Sequence, residues 1–470
     1  MPGKLSISRT LVLIKVMILA SFVVFSCVSC VLPFRDGPVL KYDGIWSAEG
    51  YGFYLVVENG IFTRYQFTQS SCFVAAAGYL PQTGYLSNTS VNDWAELHPI
   101  TENVLKIRRP QDSHFIELVR VDSLPGYCNV SLVDTALSQF VVLWETVRER
   151  SALFDAKQEN LESIYKKYVN RLVELDLVMS LIDDKTTENI LFDTIKEFLV
   201  ELGDGHAFLM SSELERIFTF QQDRRAHVVP RNYPERLEVA LKHYIDVESE
   251  KPNIKLGMTR YGHVYLSVIE MGRFRQGDAY GNDSMSVLQN ILQKAAKLSR
   301  HSDSIIVDLR LNEGGSLLFS EVIGRFLYPE SFEQPSLFYR AEGGDFFIYQ
   351  RFEKVSETFS HRFNNIIVLL GPRTGSAAEH LAYGLKASGA MLIGQTSAGI
   401  YSPVMVRSLP NGWFFGISNH IAIGSHNERL EGRGVQPILE ITTHTKQLKL
   451  ERDVVLEAAI QFLNKGSLVK

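Results

Sequence analysis

The chain has 470 residues and a mass of 53.2 kDa, with 45% hydrophobic residues, 21% charged residues and a formal net charge of -5. This is ordinary globular composition, enough for several domains at about 100–200 residues each. It contains no long basic block or basic stripe, so it gives no support for nucleic-acid binding.

The amino terminus differs from the rest. Lys4 and Arg9 precede an apolar run from Leu11 to Phe25, broken only by Lys15 and Ser21. A positive segment, an apolar run and then small residues predict a secretory leader over residues 1–30. Val24-Phe25-Ser26-Cys27 and Cys27-Val28-Ser29-Cys30 each set a small residue before a cysteine, as in a loose bacterial lipoprotein box. Two readings stand: plain secretion, or lipidation at Cys27 or Cys30 with membrane attachment through that lipid. Either one predicts an exported chain, periplasmic or at the outer surface. Export brings an oxidising compartment, in which the two remaining cysteines, Cys72 and Cys128, can pair. Their spacing is not that of a zinc site, and no metal is expected.

Residues 40–128 predict an all-β accessory module. Tyr51 to Val57 and Ile61 to Thr68 are rich in aromatic and β-branched residues, and Glu58-Asn59-Gly60 between them predicts a hairpin. Val104 to Ile107 and Phe115 to Val121 predict further strands. Residues 133–215 take up helical periodicity. Phe140, Leu143, Trp144 and Val147 share one face, and this helical subdomain ends in Leu202-Gly203-Asp204-Gly205-His206. Residues 216–257 predict a polar connection with one short helix near Glu235 to Tyr244. From 258 to 465 strands and helices alternate: strands at Val264–Ile269, Ser304–Leu309 and Ile366–Leu370, helices at Ser284–Leu298, Leu317–Leu327 and Ala377–Ala387. Alternation predicts an α/β core with a mostly parallel sheet, flanking helices and a site at the carboxyl ends of the strands.

Ser376 closes the turn between the strand Ile366–Leu370 and the helix starting at Ala377. It reads equally as an N-cap or as a nucleophile beside a helix N-terminus. Four further elements bear on that choice. Gly314 and Gly315, after Asp308-Leu309-Arg310-Leu311-Asn312-Glu313, can bring a backbone N–H alongside that of Ala377 to hold an oxyanion. His206, flanked by glycine in a loop, can serve as a general base. His380 lies four residues after Ser376 and so points along the helix, into packing. Glu431, in Leu430-Glu431-Gly432-Arg433-Gly434-Val435-Gln436-Pro437, can orient the base or be a solvated loop carboxylate.

Together these segments resemble the tail-specific, or C-terminal processing, peptidase superfamily, most closely its tricorn-core-like branch. The resemblance rests on residues 308–315, on Thr374 to Glu379, on Gly394-Gln395-Thr396-Ser397-Ala398-Gly399 and on Glu431 to Pro437, in that order. Members with a Ser/Lys dyad place lysine just after the last glycine of the third element, where this chain has Ile400. The tricorn-like members instead draw a histidine from the helical subdomain, a segment matched by Leu202 to His206, with Gly205 where they carry a serine. The resemblance implies a ClpP/crotonase-like core without a peptide-binding insert. It also implies a serine endopeptidase acting on peptide or protein substrates without a cofactor. Ser376 would attack, His206 act as base, Glu431 orient it, and Gly315 or Gly314 join Ala377 in an oxyanion hole. The rival reading is a non-catalytic protein that binds a small molecule or peptide on the same fold.

Overall fold

In the computed structural model the described residues are 42–48, 50–79, 85–87, 94–108, 115–178, 183–220, 232–275, 282–341, 344–348, 363–442 and 451–465. The predicted leader, with Cys27 and Cys30, lies outside them.

Eight antiparallel strands between Gly44 and Val121 close into a barrel, the first (Gly44–Ala48) pairing with the last (Ile116–Val121). In the hairpin Phe53–Glu58/Ile61–Phe67, Glu58 pairs with Ile61, and Asn59 and Gly60 take φ values of 51° and 77°. This is the Asn-Gly turn whose left-handed residues match strand twist. Trp46, Leu55, Val57, Phe62, Leu97, Leu105 and Leu118 fill the interior. A disulfide joins Cys72 on the barrel to Cys128, just ahead of the helices.

Three helices follow: Ala136–Arg150, Phe154–Val178 and Asp184–Leu202. Phe140, Trp144, Tyr168 and Phe198 pack edge-to-face or tilted at their centre. The third helix stops at Gly203, whose φ of 65° gives the left-handed C-cap that glycine supplies without strain. The helical character does not continue to residue 215 as predicted. Phe208–Ser211 and Arg216–Thr219 are strands of a four-stranded antiparallel sheet that also contains Phe414–Ser418 and Val404–Ser408. That sheet joins the end of the helical region to the core.

The core sheet has seven strands. From Val264–Val268 through Ser304–Asp308, Asn365–Leu370 and Met391–Gly394 to Leu439–Glu440 the pairing is parallel, with helices Asn282–Leu298, Leu317–Leu327, Ala377–Ala387 and Val454–Asn464 packed in its clusters. The expectation of a mostly parallel sheet with flanking helices is met in part. Ile245–Lys251 and Ile254–Thr259 add an antiparallel edge, and two smaller antiparallel sheets stand beside it, so the fold is mixed α/β. These edge strands fall in the segment read as a connection. Ile245–Lys251 exposes most of its residues, so no period-two burial pattern marks it in the sequence.

The barrel is anchored to the strand Val404–Ser408. Buried Arg407 donates to the carbonyls of Tyr51, Gly52 and Phe67, and Gln66 exchanges two hydrogen bonds with the Ser408 backbone.

Candidate active site

The parallel strands end in loops whose polar side chains brace one another. After Ser304–Asp308, the Arg310 guanidinium binds Asp308 and Asp453, and Tyr265 donates its hydroxyl to Asp308. All of these residues are buried. Burial opposes ionisation of Asp308, but the adjacent guanidinium outweighs it and holds the carboxyl below the usual range. Asn312 donates to the Val268 carbonyl and accepts the Gly314 N–H. Thr374 donates to the Leu309 carbonyl and accepts the Gly371 N–H, and Gly375 donates to the Asn312 carbonyl. These polar residues of the loops are thus scaffold, and what they hold in place is Ser376.

Ser376 sits at the N-cap of Ala377–Ala387 with φ 53° and ψ -125°. Positive φ costs a non-glycine residue on the order of 1–3 kcal/mol, and such strain collects at functional sites. Two contacts hold the conformation: its N–H donates to the Ile400 carbonyl (2.9 Å) and to Glu379 (3.2 Å). Glu379 also accepts from Ser397, Gly399 and Ile400, which ties the serine turn to the 394–400 turn. Burial pushes its carboxyl up to about 7, and those donors limit the rise.

Gly314 lies against this turn. A Cβ there would fall 2.6 Å from the Ser376 Cβ and 3.2 Å from the Ala377 nitrogen, and its φ is 115°. Only glycine allows this approach. Gly315 or Gly314 was expected as an oxyanion donor, and their hydrogen bonds distinguish the two. The Gly314 N–H is committed to Asn312, whereas the N–H groups of Gly315 and Ala377 have no hydrogen-bond partner among the described residues.

His206 follows the helix end. The Asp204 carboxylate accepts the His206 N–H at 2.9 Å, folding the loop. Gly205 leaves room for Ile400: a Cβ at 205 would lie 2.1 Å from the Ile400 Cγ2. The Ile400 side chain also crowds Gly375, and its backbone carbonyl accepts the Ser376 N–H, so one residue touches both the histidine loop and the serine turn. Gly205→Ala should therefore displace Ile400, at a cost of about 1–3 kcal/mol, and depress activity. Adding Ile400→Ala should recover most of the thermal stability. If Gly205→Ala leaves both quantities unchanged, the described packing is wrong.

One oxygen of the Glu431 carboxylate accepts the N–H groups of Tyr401 and Ser402, each at 2.9 Å. Burial, reinforced by the charge of Asp204, pushes it up to about 8. The Ser418 hydroxyl lies 3.5 Å from His206 Nδ1. His380 is fully buried, bonds the Tyr401 carbonyl through Nε2, and is pushed by burial down to about 4, which keeps it neutral and in a packing role. Among the described residues no group of three or more His, Cys, Asp or Glu side chains is arranged to hold a metal ion.

Sequence reasoning passed over Asp204 and Ser418. The first had a signal, an aspartate two residues before a loop histidine. The second had none, being a strand residue more than two hundred positions away.

Residues 265–441, which contain Ser376, Gly314, Gly315, Ile400 and Glu431, match the family model of peptidase family S41. Over these residues the α/β core is similar to peptidase family S41. Two solved structures share the wider fold. One is a protein of Parabacteroides merdae described as a candidate peptidase, 20% identical, with a TM-score of 0.53 and 72% of this chain and 100% of that one covered. The other is a mutant of CPAF, 12% identical, with a TM-score of 0.50 and 72% and 99% covered. At these identities the likeness speaks for the fold. The S41 match ends at residue 265 on its amino-terminal side, so His206 and the barrel lie outside it.

Proposed function

We propose that this chain is an exported serine peptidase in which Ser376 attacks the scissile carbonyl of a peptide or protein substrate. His206 takes the hydroxyl proton and returns it to the leaving amine. The N–H groups of Gly315 and Ala377 hold the oxyanion, helped by the positive end of the helix dipole. The observation that carries this reading is Ser376 itself, held at a strained positive φ before Ala377, whose N–H, like that of Gly315, has no hydrogen-bond partner among the described residues, with Ile400 packed against both its turn and the histidine loop. Ile400 stands where a dyad lysine would be, which favours a histidine base. Export, with or without a lipid on Cys27 or Cys30, rests on the leader sequence alone.

A fluorophosphonate probe tests the reading. The wild-type protein should label on Ser376, identified by peptide mapping, and His206→Gln should slow labelling by about 10²–10⁴-fold, the usual contribution of a general base. Absence of labelling on Ser376 in folded protein would favour a binding protein on this fold instead.

A further inference from the structure

We propose that Ser418 is a positioning residue for His206, its hydroxyl linking the imidazole to the Asp204 carboxylate. This deepens the reading of Ser376 and His206 above and rests on it for its catalytic meaning.

Ser418 ends the strand Phe414–Ser418 and is fully buried. Its N–H donates to one Asp204 oxygen at 2.6 Å and its hydroxyl donates to the other at 2.7 Å. Since the single hydroxyl proton goes to Asp204, the oxygen faces His206 Nδ1, at 3.5 Å, as an acceptor. An acceptor there favours the Nδ1–H tautomer and leaves Nε2 with the free lone pair that a base must offer. Such contacts tighten when substrate binds. When Nε2 takes the serine proton, the Nδ1–H stays in place, the new positive charge faces the Ser418–Asp204 pair, and no proton passes to Asp204.

Two features make the arrangement specific to this chain. A serine just before the histidine, which the resemblance leads one to expect, is shut out at Gly205 by the Ile400 Cγ2. The supporting hydroxyl arrives from another element, brought in by the pairing of Gly416 with Phe208. Glu431, the expected orienter, spends one oxygen on Tyr401 and Ser402. The titratable groups around this pair are Asp204 on the histidine loop, His380 on the helix after Ser376, and Glu431, whose charge couples to those of Asp204 and Glu379.

Ser418→Ala tests the link, because the variant keeps the backbone bond to Asp204 and changes little volume. The first measurement is the ¹⁵N-histidine NMR titration of His206, assigned by the signal lost in His206→Gln. The midpoint should fall by about one pH unit, and kcat/KM should drop about tenfold with its acid limb moved to lower pH and KM unchanged. An unmoved His206 midpoint would overturn the proposal, whatever happens to thermal stability or to the active fraction. So would a shift produced by Glu431→Gln and not by Ser418→Ala. The titration needs no turnover, so a wild-type protein that cleaves nothing sinks the peptidase reading while the NMR result still decides this one.

Discussion

Ser376→Ala should reduce peptide hydrolysis on the order of 10⁶-fold, the loss seen when the nucleophile of a triad is removed. Stability should fall by only about 1 kcal/mol, for the side-chain half of the capping box that alanine lacks. The contacts of the residue 376 backbone N–H, to the Ile400 carbonyl and to Glu379, are both kept by alanine. Alanine also meets the same positive-φ strain that serine already bears. The oxyanion donors, Gly315 and Ala377, remain, so a small residue of rate over water is expected. The check is a steady-state assay on a peptide library together with a thermal melt of the same sample. Undiminished turnover in the variant would eliminate Ser376 as nucleophile and with it the serine mechanism. A large fall in melting temperature would leave the turn assigned to structure instead of chemistry.

The second large effect is on stability. Arg310→Met should cost about 3–5 kcal/mol, the usual result of removing one partner from a buried charge cluster. Asp308 and Asp453 are buried on either side of the guanidinium, and Asp453 also caps the helix Val454–Asn464 by accepting the Leu456 N–H. Without the guanidinium two carboxylates face each other inside the core, with the Tyr265 hydroxyl, the residue 310 backbone N–H and the cap as their remaining donors. The pH dependence has a definite sign. In the wild type the Asp308 carboxyl is held below its unfolded value, so its contribution is present above that value and is lost as the pH falls through the lower, folded one. In the variant the folded value rises above the unfolded one, because burial is no longer opposed. The deficit relative to wild type should therefore be largest near neutral pH and shrink as the pH falls toward 4. Denaturant unfolding at several pH values measures it. A pH-independent deficit would show that the cost is lost packing and not unpaired charge.

Local signals in the sequence reached much of the core. Strand Ile366–Leu370 and helices Leu317–Leu327 and Ala377–Ala387 appear where apolar runs and helical spacing place them. Their boundaries are set by contacts within a few residues: the Gly371-to-Gly375 turn, the Ser316 and Ser376 N-caps, the Asn59-Gly60 hairpin turn. The signals failed where burial is shared across distant segments. Ile245–Lys251 is an edge strand with little alternation, and Phe208–Ser211 is too short to outweigh the helical stretch before it.

For the site the division is similar. The sequence by itself singled out Ser376, His206 and the glycine turn as candidates, because each depends on a residue type at a fixed local position: a serine before a helix, glycines where φ is positive, a histidine beside a glycine in a loop. The tertiary structure alone decided how those parts combine. It assigns the Gly314 N–H to Asn312, turns Glu431 toward the backbone of Tyr401 and Ser402, and brings Ser418 and Asp204 to the histidine. A hydrogen bond depends on the direction and distance of two groups, and for residues two hundred positions apart only the folded sheet fixes either.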